Sequence, residues 1–306
     1  MNIPFDEIKE KSLELGWDDV GITKPTIPDE DIHEYQMWIK KNFHGKLSYM
    51  EKEIRCYPEQ LLPGVQSAII FVSYYKQEKC DFKKNSGIIA SYARSRDYHN
   101  IHRKRLKKFI EWLELRSNQK GIAKGFSDST PVLEKALAVQ AGLGWFGKNT
   151  LLIHRKYGTF TLLSGVFTIL KLPVTTVKNL RLPKCGSCTR CLDACPTSAL
   201  IAPYQLDAKK CLSYHLIESK ENIPNEIKEK NPGYIFGCDL CQDACPHNFR
   251  KMTTESADFD PSKGFGSYLD FEKIQEIKEN PESLYGTPLN RRGVNGLIYS
   301  YSLLND

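Results

Sequence analysis

The most constraining feature of this sequence is a cysteine-rich stretch between residues 185 and 246. It opens with CGSCTRCLDACP, whose cysteines have the CxxCxxCxxxCP spacing of bacterial ferredoxins: Cys185, Cys188, Cys191 and Cys195. With this spacing, three thiolates bind one 4Fe-4S cluster, and the fourth binds the other cluster in two-cluster proteins. A partial repeat, CDLCQDACP, adds three more: Cys238, Cys241 and Cys245. The stretch is therefore predicted to form a module with two 4Fe-4S clusters.

Two such clusters need eight thiolates, one more than these motifs supply. Cys211 is the only other cysteine between the motifs and is the predicted eighth ligand. We expect one cluster to be bound by Cys185, Cys188, Cys191 and Cys245. We expect the other to be bound by Cys195, Cys211, Cys238 and Cys241. Zinc is the alternative, but zinc sites usually contain paired CxxC units rather than a CxxCxxC triplet followed by Cys-Pro.

Length and composition describe an ordinary globular protein. The 306 residues are 41% hydrophobic and 26% charged, which suits one large domain or two smaller ones. The N-terminal segment MNIPFDEIKEKS lacks the apolar core of a signal peptide, and the apolar run at 159–170 is shorter than the roughly 20 residues of a membrane helix. We therefore expect a cytoplasmic protein without membrane association, whose cysteines act as metal ligands. Cys56 and Cys80 are left without a predicted role.

Helix-like and strand-like segments alternate over roughly the first 170 residues. Apolar spacing and turn signals predict helices at 5–15, 29–43, 97–119 and 131–141. Runs of β-branched and aromatic residues predict strands at 19–23, 67–75, 87–93 and 121–126. Thr130 is the predicted N-cap of the fourth helix. Such alternation is typical of an α/β sheet.

Two more strands are expected to join through the HRKYG turn at 154–158, and one more helix is expected at 271–279. The pattern divides the chain into three units. They are an N-terminal α/β module at 1–171, a cluster module at 172–265 and a helical tail at 266–306.

Asp128 is the strongest candidate for acid or base chemistry. It lies in the turn just before the helix predicted at 131–141, a position where aspartate also serves as an ordinary helix cap. No GxGxxG motif follows a predicted strand, so a dinucleotide site is not expected. The segment DYHNIH at 97–102 fails to match the DxHxxG corrinoid motif because His102 stands in place of the glycine.

Positive charge is concentrated in one predicted helix and one loop. The chain carries a formal charge of +6, and the run HRKRLKK occupies residues 102–108. Arg291 and Arg292 form a second basic pair. A solvated helix face explains such a run as well as a phosphate-binding surface does.

Five blocks together resemble the epoxyqueuosine reductase family. They are SYARSRDYH at 91–99, DSTPVLEKALAVQAGLGWFGKNTLLI at 128–153, CGSCTRCLDACPTSAL at 185–200, CLSYHLIES at 211–219 and GCDLCQDACPHN at 237–248. The resemblance implies an α+β or α/β fold, with an N-terminal α/β cobalamin-binding module and a bacterial-ferredoxin-like module for two 4Fe-4S clusters. It also implies the reaction, which is reduction of epoxyqueuosine to queuosine at the wobble position of tRNA anticodons by Co(I) cobalamin that the clusters reduce.

Several residues receive roles from this resemblance. Asp128 would be the proton donor, and burial beside the corrin would raise its pKa. Five residues would be neighbours of the corrinoid: Arg55, Ile153, Ser164, Ser213 and Lys220. The basic helix at 102–108 and the pair Arg291 and Arg292 would contact phosphates of the anticodon stem-loop.

The implied partners are a tRNA with a GUN anticodon carrying epoxyqueuosine and an unidentified low-potential electron donor, and the chain is expected to be a monomer. It resembles a short form without C-terminal helical repeats, and Tyr299 and Ser300 stand where family members tend to carry Arg-Asn. Two alternatives remain open. A corrinoid enzyme like the reductive dehalogenases typically has a twin-arginine signal and a tyrosine acid. A ferredoxin-type electron-transfer protein would leave the block at 128–153 without a role.

Overall fold

The computed structural model describes residues 3–78, 83–175, 184–250 and 252–304. Cys80 lies outside these ranges. The α-helices in the described residues are α1 (Phe5–Glu14), α2 (Asp29–Lys40), α3 (Tyr98–Ser117), α4 (Glu134–Gln140), α5 (Arg190–Asp193), α6 (Asn225–Lys228), α7 (Leu240–Asp243), α8 (Phe271–Glu279) and α9 (Gly293–Ser302). The strands are β1 (Asp19–Thr23), β2 (Ser67–Tyr74), β3 (Gly87–Ile89), β4 (Ala123–Ser127), β5 (Gly144–Phe146), β6 (Leu152–His154), β7 (Thr161–Thr168), β8 (Leu200–Ala202), β9 (Gln205–Leu206), β10 (Tyr234–Phe236) and β11 (Tyr268–Leu269).

A four-stranded sheet with the order β1-β2-β7-β4 forms the centre of the N-terminal part. Each pair of neighbours in this sheet is antiparallel. Every residue of β2 is buried, which explains why the run SAIIFVSY contains so few polar residues. The mixture of helices and sheet predicted from the sequence is confirmed, and the antiparallel pairing is that of an α+β arrangement.

Both faces of the central sheet are covered. On one face, Phe71 and Val166 pack against α1 and α3, and the ring of Trp17 stacks on Phe71 with centroids 3.9 Å apart. On the other face, the alternate residues Ile70 and Val72 pack against α4. Each of these fully buried side chains contributes about 1.5–3 kcal/mol to folding. The sheet therefore fixes α3, β4 and α4 relative to one another, and the loop between β4 and α4 contains Asp128.

A second sheet, with the order β10-β3-β11, joins distant parts of the chain. Strand β10 runs parallel to β3, and β11 runs antiparallel to it. The three strands come from the three predicted units at 1–171, 172–265 and 266–306. The boundaries of those units stay a prediction. One strand from each unit pairs in the same sheet, so the three units are in direct contact.

Three local predictions differ from the structure. The strand predicted at 87–93 ends at Ile89 because Ser91–Ala93 turns as a 3-10 helix. The helix predicted at 131–141 starts at Glu134, so its N-cap is Leu133 and not Thr130. Thr130 instead belongs to a turn in which its N–H donates to the Ser127 carbonyl. Strands β6 and β7 are not paired with each other: β6 pairs with β5, and β7 lies between β2 and β4.

Other local predictions hold. The helix predicted at 271–279 is α8, with the same bounds. In the ranges that the structure describes, no helix combines the length and the apolar content needed to cross a bilayer.

Candidate functional site

The predicted cluster cysteines form two groups around α5 and α7, which pack against each other. In the first group, the thiol of Cys245 lies close enough to three other cysteines to interact with them electrostatically: Cys185, Cys188 and Cys191. Burial and these neighbours raise the pKa of the Cys245 thiol to about 11. Buried thiols become thiolates readily only beside a cation such as an iron core, so the arrangement suits a metal cluster.

The second group likewise consists of cysteines whose thiols interact with one another and have raised pKa values where they are buried. Cys241 interacts with Cys238, Cys211 and Cys195, and burial raises its pKa well above the ordinary value. Backbone N–H groups of Ser213 and Tyr214 donate to the Cys211 sulfur. The Ala199 N–H donates to Cys195 Sγ at 3.2 Å. Such N–H donors stabilise the charge of cluster sulfurs.

Each group brings together the cysteines of one predicted ligand set, and the roles of these cysteines as cluster ligands stay predictions. Among the described residues, no three His, Cys, Asp or Glu side chains converge as closely as a single metal ion requires.

Asp128 lies in the loop that follows β4, with a positive φ of 21°. Two hydrogen bonds reach the same carboxylate oxygen: Tyr98 Oη donates to Asp128 Oδ2 at 3.0 Å, and His99 Nε2 donates to it at 3.1 Å. The Asp128 side chain is nevertheless 62% exposed. The carboxylate is therefore fixed from one side and accessible from the other.

His99 is held between two carboxylates. Asp97, the N-cap of α3, accepts through Oδ1 from the His99 backbone N–H at 2.9 Å and from His99 Nδ1 at 2.7 Å. Burial acts to lower the pKa of His99, but the hydrogen bonds to Asp128 and Asp97 outweigh it and raise the pKa to about 9. His99 is therefore an imidazolium at neutral pH.

The pKa of Asp128 is lowered, not raised. Burial acts to raise it, but the hydrogen bond and charge of His99, the hydrogen bond from Tyr98 and the charge of Arg55 together outweigh burial. The protein's own groups therefore shift the pKa of Asp128 in the direction opposite to the one expected beside a corrin. That expectation considered only desolvation and missed the imidazolium that α3 places beside the carboxylate.

Glu134, at the first position of α4, is a functional candidate that the sequence reasoning missed. Its Oε2 atom is buried and has no hydrogen-bond partner. Burial and the negative charge of Asp128 raise the pKa of Glu134 to about 8. The sequence shows only an acidic residue in a first helical turn, where glutamate is common, so no local signal distinguished it.

Aromatic rings and guanidinium groups from distant segments surround Asp128. Its charge acts on Tyr49, Tyr92 and Arg291, which come from three separate parts of the chain. The guanidinium carbons of Arg55 and Arg291 lie 5.9 and 5.8 Å from the centre of the Tyr49 ring. These groups make a polar and aromatic recess with the Asp128 carboxylate in it.

The five predicted corrinoid neighbours lie in different surroundings. Arg55 is buried beside this recess and donates to the Tyr49 carbonyl, and Lys220 donates to the Arg291 carbonyl at 3.0 Å. Ile153 and Ser213 belong to the cluster side of the site, because Ile153 packs with Cys245 and the Ser213 N–H donates to Cys211.

Ser164 lies apart from the other four predicted corrinoid neighbours. It is fully buried and accepts a hydrogen bond from Trp17 Nε1 at 3.1 Å, on the sheet face covered by α1 and α3. The Ser164 hydroxyl is therefore used inside the core, and a role for Ser164 as a corrinoid neighbour stays a prediction.

Several of the basic residues predicted to contact phosphates are buried instead. His102 lies between the hydroxyls of Ser73 and Ser127, and Arg105 pairs with Asp258 at 2.6 Å. Arg292 is buried against the Ser219 carbonyl. The prediction of phosphate contacts is wrong for His102 and Arg105 because the sequence did not reveal which face of α3 is covered. It is wrong for Arg292 because a segment distant in sequence, at Ser219, covers that side chain.

The exposed charges of α3 line a groove instead. The groove has a volume of about 770 Å³, and its wall includes Arg96, Lys104, Lys108 and Lys263. None of these four cations forms an ion pair within the described ranges. The Tyr285 side chain, 73% exposed, lies in the same wall.

Comparison with known proteins identifies the family. Residues 55–129 match the model described as "Epoxyqueuosine reductase QueG, DUF1730", and residues 184–248 match the 4Fe-4S double cluster binding domain. The epoxyqueuosine reductase of Leadbetterella byssophila is 39% identical over 271 residues, which cover 88% of this chain and 87% of that protein. This chain belongs to the epoxyqueuosine reductase family. The double-cluster match also confirms the predicted 4Fe-4S module.

Solved structures of the family share the fold. An epoxyqueuosine reductase in complex with a tRNA-Tyr epoxyqueuosine-modified stem loop has a TM-score of 0.84 and 26% identity, over 97% of this chain and 80% of that one. The epoxyqueuosine reductase from Bacillus subtilis, described with an aspartate catalytic loop swung out of the active site, has a TM-score of 0.83 and 26% identity over the same shares.

Proposed function

We propose that this chain reduces epoxyqueuosine to queuosine at the wobble position of tRNA anticodons carrying GUN. Family membership and the likeness to a reductase solved with an epoxyqueuosine-modified stem loop support the reaction class. The observation that carries the proposal is the accessible Asp128 carboxylate, fixed by Tyr98 and His99 on the loop after β4. A ferredoxin-type carrier has no use for this arrangement.

The proposed electron route starts at two 4Fe-4S clusters. The first is proposed to be bound by Cys185, Cys188, Cys191 and Cys245. The second is proposed to be bound by Cys195, Cys211, Cys238 and Cys241. The electrostatic grouping of the thiols supports both sets. A separate low-potential donor would reduce these clusters, and we propose that the chain acts as a cytoplasmic monomer.

The residues of the recess fit a cobalamin. Its macrocycle is edged by amides that both donate and accept hydrogen bonds, and the buried Glu134 Oε2 beside Asp128 has no protein partner. A second buried atom without a partner, Trp145 Nε1, lies beside Ile153 on the cluster side of the site. Arg55, Ile153, Ser213 and Lys220 are the proposed contacts. When bound, the corrinoid supplies a strongly reducing metal centre for two-electron chemistry.

The chain's own residues then supply position and protons. Removal of an epoxide oxygen as water consumes two electrons and two protons. Asp128 is proposed to deliver protons to the departing oxygen, since it is the carboxyl group in the recess that is both hydrogen-bonded and accessible. A loop position suits this role, because the relative from Bacillus subtilis is described with its catalytic aspartate loop swung out of the active site.

The groove beside α3 is proposed to hold tRNA phosphates. Arg96, Lys104, Lys108 and Lys263 supply unpaired positive charge, and the exposed Tyr285 ring offers a stacking surface.

Anaerobically prepared protein, loaded with iron, sulfide and cobalamin, tests the proposal directly. It is incubated with epoxyqueuosine-containing tRNA and a low-potential chemical reductant, and the nucleosides are analysed by mass spectrometry. We expect the epoxyqueuosine signal to be replaced by a nucleoside lighter by one oxygen atom. Protein with full iron and corrinoid content that leaves the epoxide intact would contradict the proposed function.

A further inference from the structure

We propose that Asp97 and His99 form a proton store that recharges Asp128 during the reduction. This inference rests on the proposed function and extends it to two residues that do not themselves touch the reacting atoms. Asp97 acts through His99, and His99 acts through Asp128, so both are positioning residues.

The geometry is a continuous hydrogen-bonded chain. Asp97 Oδ1 accepts from His99 Nδ1 at 2.7 Å, and His99 Nε2 donates to Asp128 Oδ2 at 3.1 Å. Both imidazole nitrogens therefore face a carboxylate, and each carries a proton. Tyr98 Oη holds the same Asp128 oxygen at 3.0 Å, so the carboxylate cannot turn away from His99 without losing two hydrogen bonds.

The start of α3 is fixed by contacts of its own. The Asp97 backbone N–H donates to the Gly286 carbonyl at 2.8 Å, and Asp97 caps the helix. The pair remains open to water, because the Asp97 and His99 side chains are 24% and 29% exposed. Asp97 also lines the groove beside α3. A proton lost from His99 can thus be replaced from solvent.

The surrounding charges favour a protonated His99. Asp97 and Asp128 raise its pKa to about 9 against burial. Other charged or titratable groups also face the dyad or Asp128, and they are Tyr49, Tyr92, Tyr98, His102, Arg55, Arg103, Arg291, Glu134 and Lys135. His102 does not compete for the proton, because burial lowers its pKa to about 3.

The proton store is needed because the pKa of Asp128 is lowered. At neutral pH Asp128 is ionised and has no proton of its own to give. When a C–O bond of the epoxide breaks, the oxygen becomes an alkoxide, a far stronger base than imidazole. The His99 Nε2 proton moves to the Asp128 carboxylate, and Asp128 then passes a proton to the alkoxide and is an anion again. The net transfer from His99 to oxygen is downhill.

The full reaction balances. Two C–O bonds break and one C=C bond forms, with the two electrons coming from the clusters by way of the corrinoid. After it has given up the first proton, His99 takes a second proton from water. This second proton reaches the oxygen by the same route through Asp128. The oxygen leaves as water.

Asp97→Asn tests the proton store because it removes the negative charge of residue 97 and keeps the side-chain oxygen that caps α3. Asparagine caps a helix as well as aspartate does, so α3 and the melting temperature should be preserved. Loss of the anion should lower the His99 pKa by about one unit. Asp97→Ser, also a good N-cap, is the second variant. Asp270→Asn is the matched control, since Asp270 caps α8 and pairs with Lys83 away from the site.

Two measurements are made on cluster- and cobalamin-loaded protein. The first is an NMR titration of the His99 imidazole, which does not depend on turnover. The second is single-turnover reduction of epoxyqueuosine tRNA between pH 6 and pH 9.5. We expect the ratio of the Asp97→Asn rate to the wild-type rate to be about fivefold lower at pH 9 than at pH 6, because less of the variant's His99 is protonated at the higher pH.

An unshifted His99 titration in both Asp97 variants overturns the inference, and so does an unchanged pH profile beside a shifted titration. A similar loss in Asp270→Asn would also overturn it, because the effect would then be one of helix capping. Wild-type protein that is loaded with clusters and cobalamin but has no activity contradicts the proposed function instead. The proton store is then refuted as well, even if the His99 titration shifts, because there is no reaction for it to serve.

Discussion

At the scale of single residues, the site separates two carboxyl groups by their protonation. His99 and Tyr98 lower the pKa of Asp128, whereas burial raises that of Glu134 to about 8. Near neutral pH one group is an anion that can pass protons, and the other is a neutral acid that can donate a hydrogen bond. Such opposed shifts within one recess are typical of acid–base sites.

Asp128→Asn should stop the reaction and leave the protein folded. Asparagine tolerates the positive φ at this position, and its amide can still contact Tyr98, but it cannot pass a proton. We expect the single-turnover rate to fall by about 100-fold or more. Iron content and the corrinoid spectrum, measured beside the rate, should be unchanged; near-normal turnover would rule out the role of Asp128.

Glu134→Gln should change how stability depends on pH. Between the ordinary value of 4.5 and about 8, native Glu134 keeps a proton that the unfolded chain releases, so wild-type stability falls as pH rises through this window. Glutamine has no such proton. The variant should melt roughly 2–4 °C above wild type at pH 8 and close to it at pH 4.5. Parallel melting curves across the range would show that Glu134 is not desolvated.

At the scale of elements, one face of α3 packs in the core and the opposite face lines the groove. Its buried face holds His102 and Arg105 in hydrogen bonds and an ion pair, and its exposed face presents Lys104 and Lys108 to the groove. Its N-terminus places His99 against Asp128. One helix thus connects the core, the groove and the acid–base site.

The cluster loops are the second important set of elements. Cys211 precedes the π-helical turn Tyr214–Glu218, and its sulfur accepts N–H groups from that turn. Cys211→Ala should therefore lower the iron content from about eight to between four and seven atoms per chain. Cys56→Ala is the control, because Cys56 is buried in a separate 3-10 segment. Full iron content in Cys211→Ala would assign the eighth ligand elsewhere.

At the scale of the whole molecule, the groove and the recess exist only because distant segments meet. Strand β3 pairs with β10 and β11, which come from the cluster segment and the tail. The groove takes its wall from α3, from residues 258–265 and from residues 283–287. The surface proposed to hold tRNA is therefore a product of the assembled fold.

Neutralising Lys104, Lys108 and Lys263 together should weaken tRNA binding and reduce its dependence on salt. If each lysine contacts a phosphate, the slope of log affinity against log salt should fall in magnitude by about 2. The control replaces Arg103 and Lys107, which are exposed on the same helix but lie outside the groove. Equal effects of the two sets in a filter-binding titration would argue against a specific groove.

Local features could be derived from the sequence because they depend on neighbouring residues. The cluster motifs are a matter of ligand spacing, the helix at 271–279 follows from apolar periodicity, and the blocks that resemble the family are contiguous. The start of α4 was misplaced because residues 127–132 form turns, in which the Thr130 N–H donates to the Ser127 carbonyl and the Val132 N–H donates to the Thr130 carbonyl.

The sequence by itself determined the cluster module and the family and made Asp128 the candidate acid, since each of these follows from short contiguous patterns. Only the tertiary structure decided which cations of α3 are buried, that β7 lies between β2 and β4, and that Asp128 is ionised beside His99. Those outcomes depend on burial and on charges brought together from distant segments, and no local spacing encodes them.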